Sequence, residues 1–408
     1  MKSSFFRYSL YFLFGFICLS TFSTYLSHLL GFPIGVPEVF ACLFIPVLYK
    51  EFTYLRTSPV TGGFIIAFLG LIILGIMFSG DVYAVVGTSR VYFYIFYFAL
   101  LFSRIDKIDT TSLFMVSAGA VIGSGFSNYL LVLQLGQEEV RGYSNFIALS
   151  VFVIYPLVKK KVILFLICLG IAIVLAFYSG LRRQIVEVVI SLVFGLLILM
   201  LYRKGKSLSL MFVAVVVGVF AWANISLIEQ YLLENHFYLW QRVFYKTQIA
   251  MEDGGSEGSR YEHLGLLLDY FAECIFPRGF FPRGSSFSVG DHGGSTLDFP
   301  LFELLYTFSA FGMVVFILWM VSSYVKNLMV LLSLPKGGYS EELMIVLSCI
   351  PVLLFATFFD GSFIQYSFVA PFSGYLFGRL FRFSFRNVYQ NSPRIYQWSA
   401  YTSNSKME

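Results

Sequence analysis

Charge is what this chain has least of. Only 12% of its 408 residues are charged, against roughly 25% in an ordinary soluble domain, while 58% are hydrophobic and 19% aromatic. A surface that poor in charge excludes a soluble enzyme. Cysteine is scarce as well. Cys18, Cys42, Cys168 and Cys349 fall inside apolar runs and Cys274 stands alone in a polar stretch, so neither a disulfide framework nor a thiolate metal cage can be built. No His-Glu-x-x-His pattern is present, and His236, His263 and His292 are 27 and 29 residues apart, which is not ligand spacing. No metal, cofactor or nucleic-acid partner is therefore expected. The short apolar–polar alternation of an outer-membrane barrel is missing too, and no repeat of 20 to 50 residues stands out.

Long apolar runs are what the chain has instead. A bilayer-spanning helix needs about 20 apolar residues, and runs of that order lie near 5–28, 34–49, 60–79, 82–102, 112–133, 144–158, 162–179, 185–202, 207–224, 299–322, 342–358 and 362–381. The expected fold class is an all-α polytopic membrane protein of about 12 transmembrane helices. The first run follows Lys2 and Arg7 and lacks a small-x-small cleavage site, so it reads as a retained span. With the N-terminus inside, 19 of the 28 Lys and Arg residues fall on the cytoplasmic side, eight outside, and Arg90 within a span. Lys159, Lys160 and Lys161, and Arg203, Lys204 and Lys206, occupy short loops, where the positive-inside bias is most informative. Both termini are accordingly expected in the cytoplasm.

Four segments follow from this reading. Residues 1–224 carry spans 1–9, residues 225–298 form one large outer loop, residues 299–383 carry spans 10–12, and residues 384–408 are a basic cytoplasmic tail. The loop holds three of the four histidines, but its aromatic and apolar content is too high for a disordered linker. Leu264, Leu267 and Phe271 recur at helical spacing after Arg260, which predicts an amphipathic helix on the membrane surface.

Seven of the eight outer basic residues are arginine: Arg141, Arg182, Arg183, Arg242, Arg260, Arg278 and Arg283, with Lys246 the eighth. A planar guanidinium suits bidentate binding of phosphate oxygens at an interface; the plainer role for any one of them is to anchor a helix end or pair with a nearby acid. Candidate proton acceptors are His292, Asp298 and His263, with Glu262, Asp291 and Glu303 nearby in sequence. Ionisable residues inside spans are Glu38, Arg90, Glu187 and Glu303, each of which must pair or face a wet cavity. Arg183 and Glu187 have the i, i+4 spacing that allows mutual pairing. Arg90 lies about 13 Å below the outer end of its span. A substrate-anion role and an ion pair with Glu38 or Glu187 both fit it.

The order of these pieces resembles the O-antigen polymerase and O-antigen ligase superfamily. The resemblance runs over about residues 141–320: Arg141, Gly142, Tyr143 and Asn145; Ser179, Arg182 and Arg183; Gly258, Ser259 and Arg260; Phe276, Pro277, Arg278 and Gly279; Asp291 and His292; then Leu297 through Glu303 to Phe311 and Gly312. It implies a GT-C-like helical bundle in the bacterial inner membrane, with one periplasmic loop between spans 9 and 10. The implied activity is an inverting glycosyl transfer from an undecaprenyl-diphosphate-linked oligosaccharide, without metal, and a chain-length regulator is an implied membrane partner. Arg182, Arg183 and Arg260, then Arg141 and Arg278, would hold the diphosphate; His292, Asp298 or His263 would be the base. Gly293 follows His292 where the ligase branch has a His-Asn pair, which favours polymerase, with ligase the alternative. A flippase or other transporter would also have 12 spans but would not need a 74-residue outer loop.

Topology is directly testable. Reporter fusions at residues 160 and 205 and at the C-terminus are expected to read as cytoplasmic and a fusion at residue 260 as extracytoplasmic. A cytoplasmic reading at 260 would remove the outer arginines from the side on which carrier-linked sugars lie.

Overall fold

In the computed structural model, residues 2–30, 59–105, 108–135, 145–178, 182–203, 225–235, 237–245, 275–280, 286–289, 292–295, 300–335, 338–359 and 368–390 are described. Their helices are α1 (Lys2–Cys18), α2 (Phe22–Leu30), α3 (Pro59–Ser79), α4 (Val82–Arg104), α5 (Thr110–Leu135), α6 (Phe146–Val158), α7 (Val162–Tyr178) and α8 (Arg182–Arg203). The remainder are α9 (Ile225–Asn235), the short α10 (Phe237–Trp240) running into a π-turn (Gln241–Tyr245), α11 (Pro300–Ser333), α12 (Gly338–Phe359) and α13 (Ala370–Gln390). Five of them, α4, α5, α8, α11 and α12, are long and apolar enough to cross a membrane, and shorter apolar stretches lie in α1, α3, α6 and α7. The chain is a helical, membrane-embedded protein.

Four elements differ from the pattern of apolar runs, one of them α13, which continues nine residues past the run at 362–381 to Gln390. The first run is interrupted between α1 and α2: the Ser20 hydroxyl donates to the Phe16 carbonyl and accepts from the Phe22 amide, closing one helix and opening the next. The run at 299–322 continues to Ser333 as α11, because Lys326 and Asn327 do not end it; the Asn327 side chain is buried and donates to the Leu380 carbonyl at 3.0 Å. The segment expected to form the outer loop carries a β-hairpin, β1 (Ser286–Val289) and β2 (His292–Ser295), with Val289 paired to His292. The helix expected around residues 260–271 lies outside the described residues.

The centre of the bundle is α6, all thirteen of whose residues are buried. Asn145 starts it. Its side-chain oxygen accepts from the Ala148 amide as an N-cap, and its amide nitrogen donates to the carbonyls of Leu19 and Phe368 at 3.2 and 3.1 Å, tying α1 and α13 to α6. Beyond its other end Lys161 donates to the Pro156 carbonyl, and Lys160, at φ 59°, turns the chain into α7. Around this post, α5, α8 and α12 are the main neighbours.

Two crossings rest on small residues. α5 carries Gly119 and Gly123, a Gly-x-x-x-Gly pair, against the backbone of α1; a Cβ at Gly123 would stand 2.7 Å from the Phe16 carbonyl oxygen, and one at Gly119 would collide with that of Phe12. α13 repeats the arrangement with Gly374 and Gly378 on α4, where a Cβ at Gly374 would lie 2.8 Å from the Ile95 carbonyl oxygen. Lipid tails are as apolar as side chains, so helices in a bilayer associate through such close packing and not through a hydrophobic driving force.

At one end of the bundle an ion pair is fully buried. Arg379 Nε lies 2.6 Å from Glu342 Oε1, Nη2 donates to Glu342 Oε2 at 2.9 Å, and Nη1 donates to the carbonyls of Phe102 and Ile105. The same Glu342 oxygen accepts from the Ile108 amide at 3.4 Å. One side-chain pair thus joins α12 and α13 to the turn between α4 and α5. In that turn Asp109 caps α5: burial pushes its carboxyl up, but hydrogen bonds from Ser112 and from the Thr111 and Ser112 amides, with the charge of Arg7, more than offset this and hold it below the usual carboxylate range. Lys159 and Glu341 form a second, half-buried pair beside it.

The two pairs should differ sharply when broken. Glu342→Gln leaves a guanidinium buried and is expected to cost about 3–5 kcal/mol. Lys159→Ala removes a partly solvated partner and should cost under about 1 kcal/mol. Thermal unfolding in nanodiscs measures both; equal effects would show that the buried pair does not clamp the bundle.

Candidate functional site

Residues 275–280 form a strap seated in the bundle between α3, α4 and α11. Ile275 and Phe276 are exposed, Pro277 and Arg278 half-buried, and Gly279 and Phe280 buried. Backbone contacts seat it: the Phe280 amide donates to the Leu71 carbonyl of α3 at 3.2 Å, and the Arg278 amide donates to the Tyr306 carbonyl of α11 at 2.9 Å. Gly279 has φ 86° and lies against the backbone of Leu71 and Gly75, so a side chain there would be both strained and obstructed. Gly75 completes the fit from α3, where a Cβ would stand 2.6 Å from the Phe280 carbonyl oxygen.

Aromatic rings wrap this seat. Phe280 packs on Phe68 and Tyr92 with centroids 5.1 and 5.2 Å apart, and Tyr92 meets Phe308 edge-on at 5.7 Å. The Arg278 guanidinium lies 5.7 Å from the Phe78 ring centroid and 5.8 Å from that of Tyr306. A cation held by ring faces keeps its N–H edge for hydrogen bonding, which is the geometry that recognises phosphate or carboxylate.

A carboxylate sits one turn from the Tyr306 contact. Glu303 is in the first turn of α11, where the helix N-terminus favours a negative charge, and it is 3% exposed. The Tyr92 hydroxyl donates to it at 3.1 Å. Three residues after Tyr306 the helix breaks: Ser309 has φ 68° and ψ 163°, a region populated almost only by glycine, and its hydroxyl accepts from the Gly312 amide to restart the helix. Thr307, between contact and break, is fully buried, and its hydroxyl has no hydrogen-bond partner among the described residues.

Of the residues singled out in the sequence, Arg278 and Glu303 are brought together here. Arg183, half-buried, and Glu187, buried, are on α8, which packs chiefly on α6 and α12. Arg182 opens that helix. Arg90 is on α4 and exposed. His292 begins β2. Arg141, Arg260, His263, Asp298 and Glu38 lie outside the described residues. Asn145, part of the motif that begins at Arg141, holds helices together as described above. Sequence reasoning missed Tyr92, Thr307, Ser309 and the Gly75–Gly279 contact. A tyrosine two residues from Arg90 inside a span was a signal for the first; Ser309 carries none, since serine is ordinary in membrane helices. Among the described residues no group of three or more His, Cys, Asp or Glu could hold a metal ion.

Comparison with protein-family models, with curated proteins and with solved structures finds no match to this chain.

The strap's seat depends on a missing Cβ. Gly279→Val should unseat it and lower the thermal midpoint by several degrees, as expected of a loss of about 2 kcal/mol or more. Gly312→Ala, whose Cβ would meet only ordinary contacts at 3.5 Å, should change little. Similar midpoints for the two variants would contradict the backbone fit.

Proposed function

We propose that this protein is an O-antigen polymerase, a glycosyltransferase that joins undecaprenyl-diphosphate-linked oligosaccharide repeat units on the periplasmic face of the bacterial inner membrane. In this reading it has twelve spans, both termini are cytoplasmic, and the end of the bundle that carries Lys159, Arg379 and Arg382 faces the cytoplasm. The opposite end receives the strap. A chain-length regulator is the expected membrane partner.

The observation that carries the reading is the seating of Arg278 on Tyr306 of α11, one helical turn from Glu303 and beside the break at Ser309. Two residues chosen for anion and proton chemistry from separate parts of the sequence lie within one helical turn of a common contact, Tyr306. The transfer needs little more than that kind of site. An acceptor hydroxyl oxygen attacks the anomeric carbon, the bond from that carbon to the diphosphate oxygen breaks, and the electron pair leaves with the diphosphate. The hydroxyl proton passes to a base in the outer loop, His292, Asp298 or His263. Negative charge grows on the diphosphate, and arginines fixed at the interface stabilise it: Arg278 here, with Arg182, Arg183, Arg260 and Arg141 as the further candidates. Inversion follows if no covalent glycosyl-enzyme forms.

Deletion of the gene tests the reading. Surface lipid A core carrying a single repeat unit is the expected outcome, because a separate ligase still transfers the unpolymerised unit. Bare core with long polymer accumulating on the carrier lipid would make the protein the ligase. In the complemented strain Arg278→Lys, which keeps the charge and loses the fork, should cut polymer about tenfold or more at unchanged protein level.

A further inference from the structure

The strap and α11 share one hydrogen-bond acceptor. In a continuous helix the Tyr306 carbonyl would accept from the amide of Ala310, a bond that needs the intervening residues to be helical. Ser309 is not helical, and the Arg278 amide bonds this carbonyl from the strap. Straightening α11 would therefore compete for the oxygen that seats Arg278. A backbone such as that of Ser309 is strained for any residue but glycine and persists only where its surroundings enforce it.

Glu303 and Tyr92 supply that enforcement. Glu303 belongs to the part of α11 before the break, Tyr92 to α4, and the hydrogen bond between them fixes the one against the other. The same Tyr92 ring packs on both Phe280, the buried end of the strap, and Phe308, the residue before the break. Phe280 and Phe308 also meet edge-on at 6.5 Å. Strap, break and carboxylate all converge on one tyrosine.

We propose that Glu303 and Tyr92 form a catch: their hydrogen bond holds α11 in its broken form and thereby keeps residues 275–280, with Arg278, seated between α3, α4 and α11. Glu303 is then a positioning residue that acts through Tyr92, and a neutral acceptor in its place serves the same purpose. Seating of the strap follows from contacts within the chain alone. The consequence for catalysis rests on the function proposed above: with the catch broken, Arg278 is no longer held, so the charge growing on the leaving diphosphate is less well stabilised.

Hydrogen–deuterium exchange on the full-length protein in nanodiscs reads the seat without any assay of activity. Peptides covering residues 275–280 should be protected in the wild type and in Glu303→Gln, and should exchange at least tenfold faster in Glu303→Leu and Tyr92→Phe. Peptides of α6 serve as the reference for global stability and should be unchanged. Equal protection of the strap in all four proteins overturns the catch, as does a loss of protection that includes α6. The second arm is steady-state transfer on purified lipid-linked repeat unit. Glu303→Leu and Tyr92→Phe should lower kcat about tenfold while Glu303→Gln keeps it within twofold, and neither of the first two should add to the effect of Arg278→Ala in the double variant. Wild-type kcat in Glu303→Leu and Tyr92→Phe, a fall in Glu303→Gln equal to that in Glu303→Leu, or additive effects with Arg278→Ala, overturns the positioning role. Absence of transfer by the wild type, with the exchange pattern as expected, rejects the polymerase reading and leaves the catch standing.

Discussion

A charge taken out of water inside a helix bundle must be met completely, and the contact between Arg379 and Glu342 meets it. The pair spends four of its polar atoms on one another and the remainder of its reach on the backbone of Phe102, Ile105 and Ile108. Those backbone groups are the carbonyls and amide that α4 and α5 leave unsatisfied at their ends. The ion pair and the helix termini thus solve each other's problem, and the two Gly-x-x-x-Gly crossings can close because the helix ends they bring together have partners waiting. Replacing the pair with apolar side chains would leave those termini bare, a penalty that does not arise for an ion pair in isolation.

The two ends of the bundle are built on different principles. Around Arg379 the buried charges are paired with one another and with helix-end backbone, and Tyr375 and Leu380 are buried beside them. Around Ser309 the backbone is strained, the Thr307 hydroxyl is buried with no hydrogen-bond partner among the described residues, and the Arg278 amide of the strap, not a helical amide alone, is bonded to the Tyr306 carbonyl. Strain of that kind marks the part of a protein that binds or moves.

Much of the architecture was legible because apolar runs and helices obey the same length rule. The helices α3, α4, α5, α7 and α8 begin and end within a few residues of the runs that predict them. Where the reading slipped, side-chain chemistry competed with hydropathy. Ser20 ends a helix inside an apolar run, and Asn327 and Lys326 fail to end one, because a buried amide with a partner costs little. Arg379 counts among cytoplasmic charges in any tally of basic residues, yet it is buried; its partner is 37 positions away and no local pattern announces the pair. Arg278 was legible as a candidate because it is one of seven arginines among the eight basic residues expected outside, a choice that suits phosphate. Tyr92, some 186 positions earlier, was not, since a tyrosine's role depends on what faces it across the bundle.

The shortness of α6 has a mechanical consequence. Thirteen helical residues rise about 20 Å, well under the roughly 30 Å of a bilayer's hydrocarbon core, and every one of them is screened from lipid by its neighbours. A change in membrane thickness therefore exerts no hydrophobic mismatch on α6 itself. It acts instead on helices with large exposed apolar faces, such as α3 and α7. Asn145 caps α6 and bonds the backbone beside α1 and α13 at its start, so the contacts that join those helices to α6 there are made by polar groups indifferent to bilayer thickness.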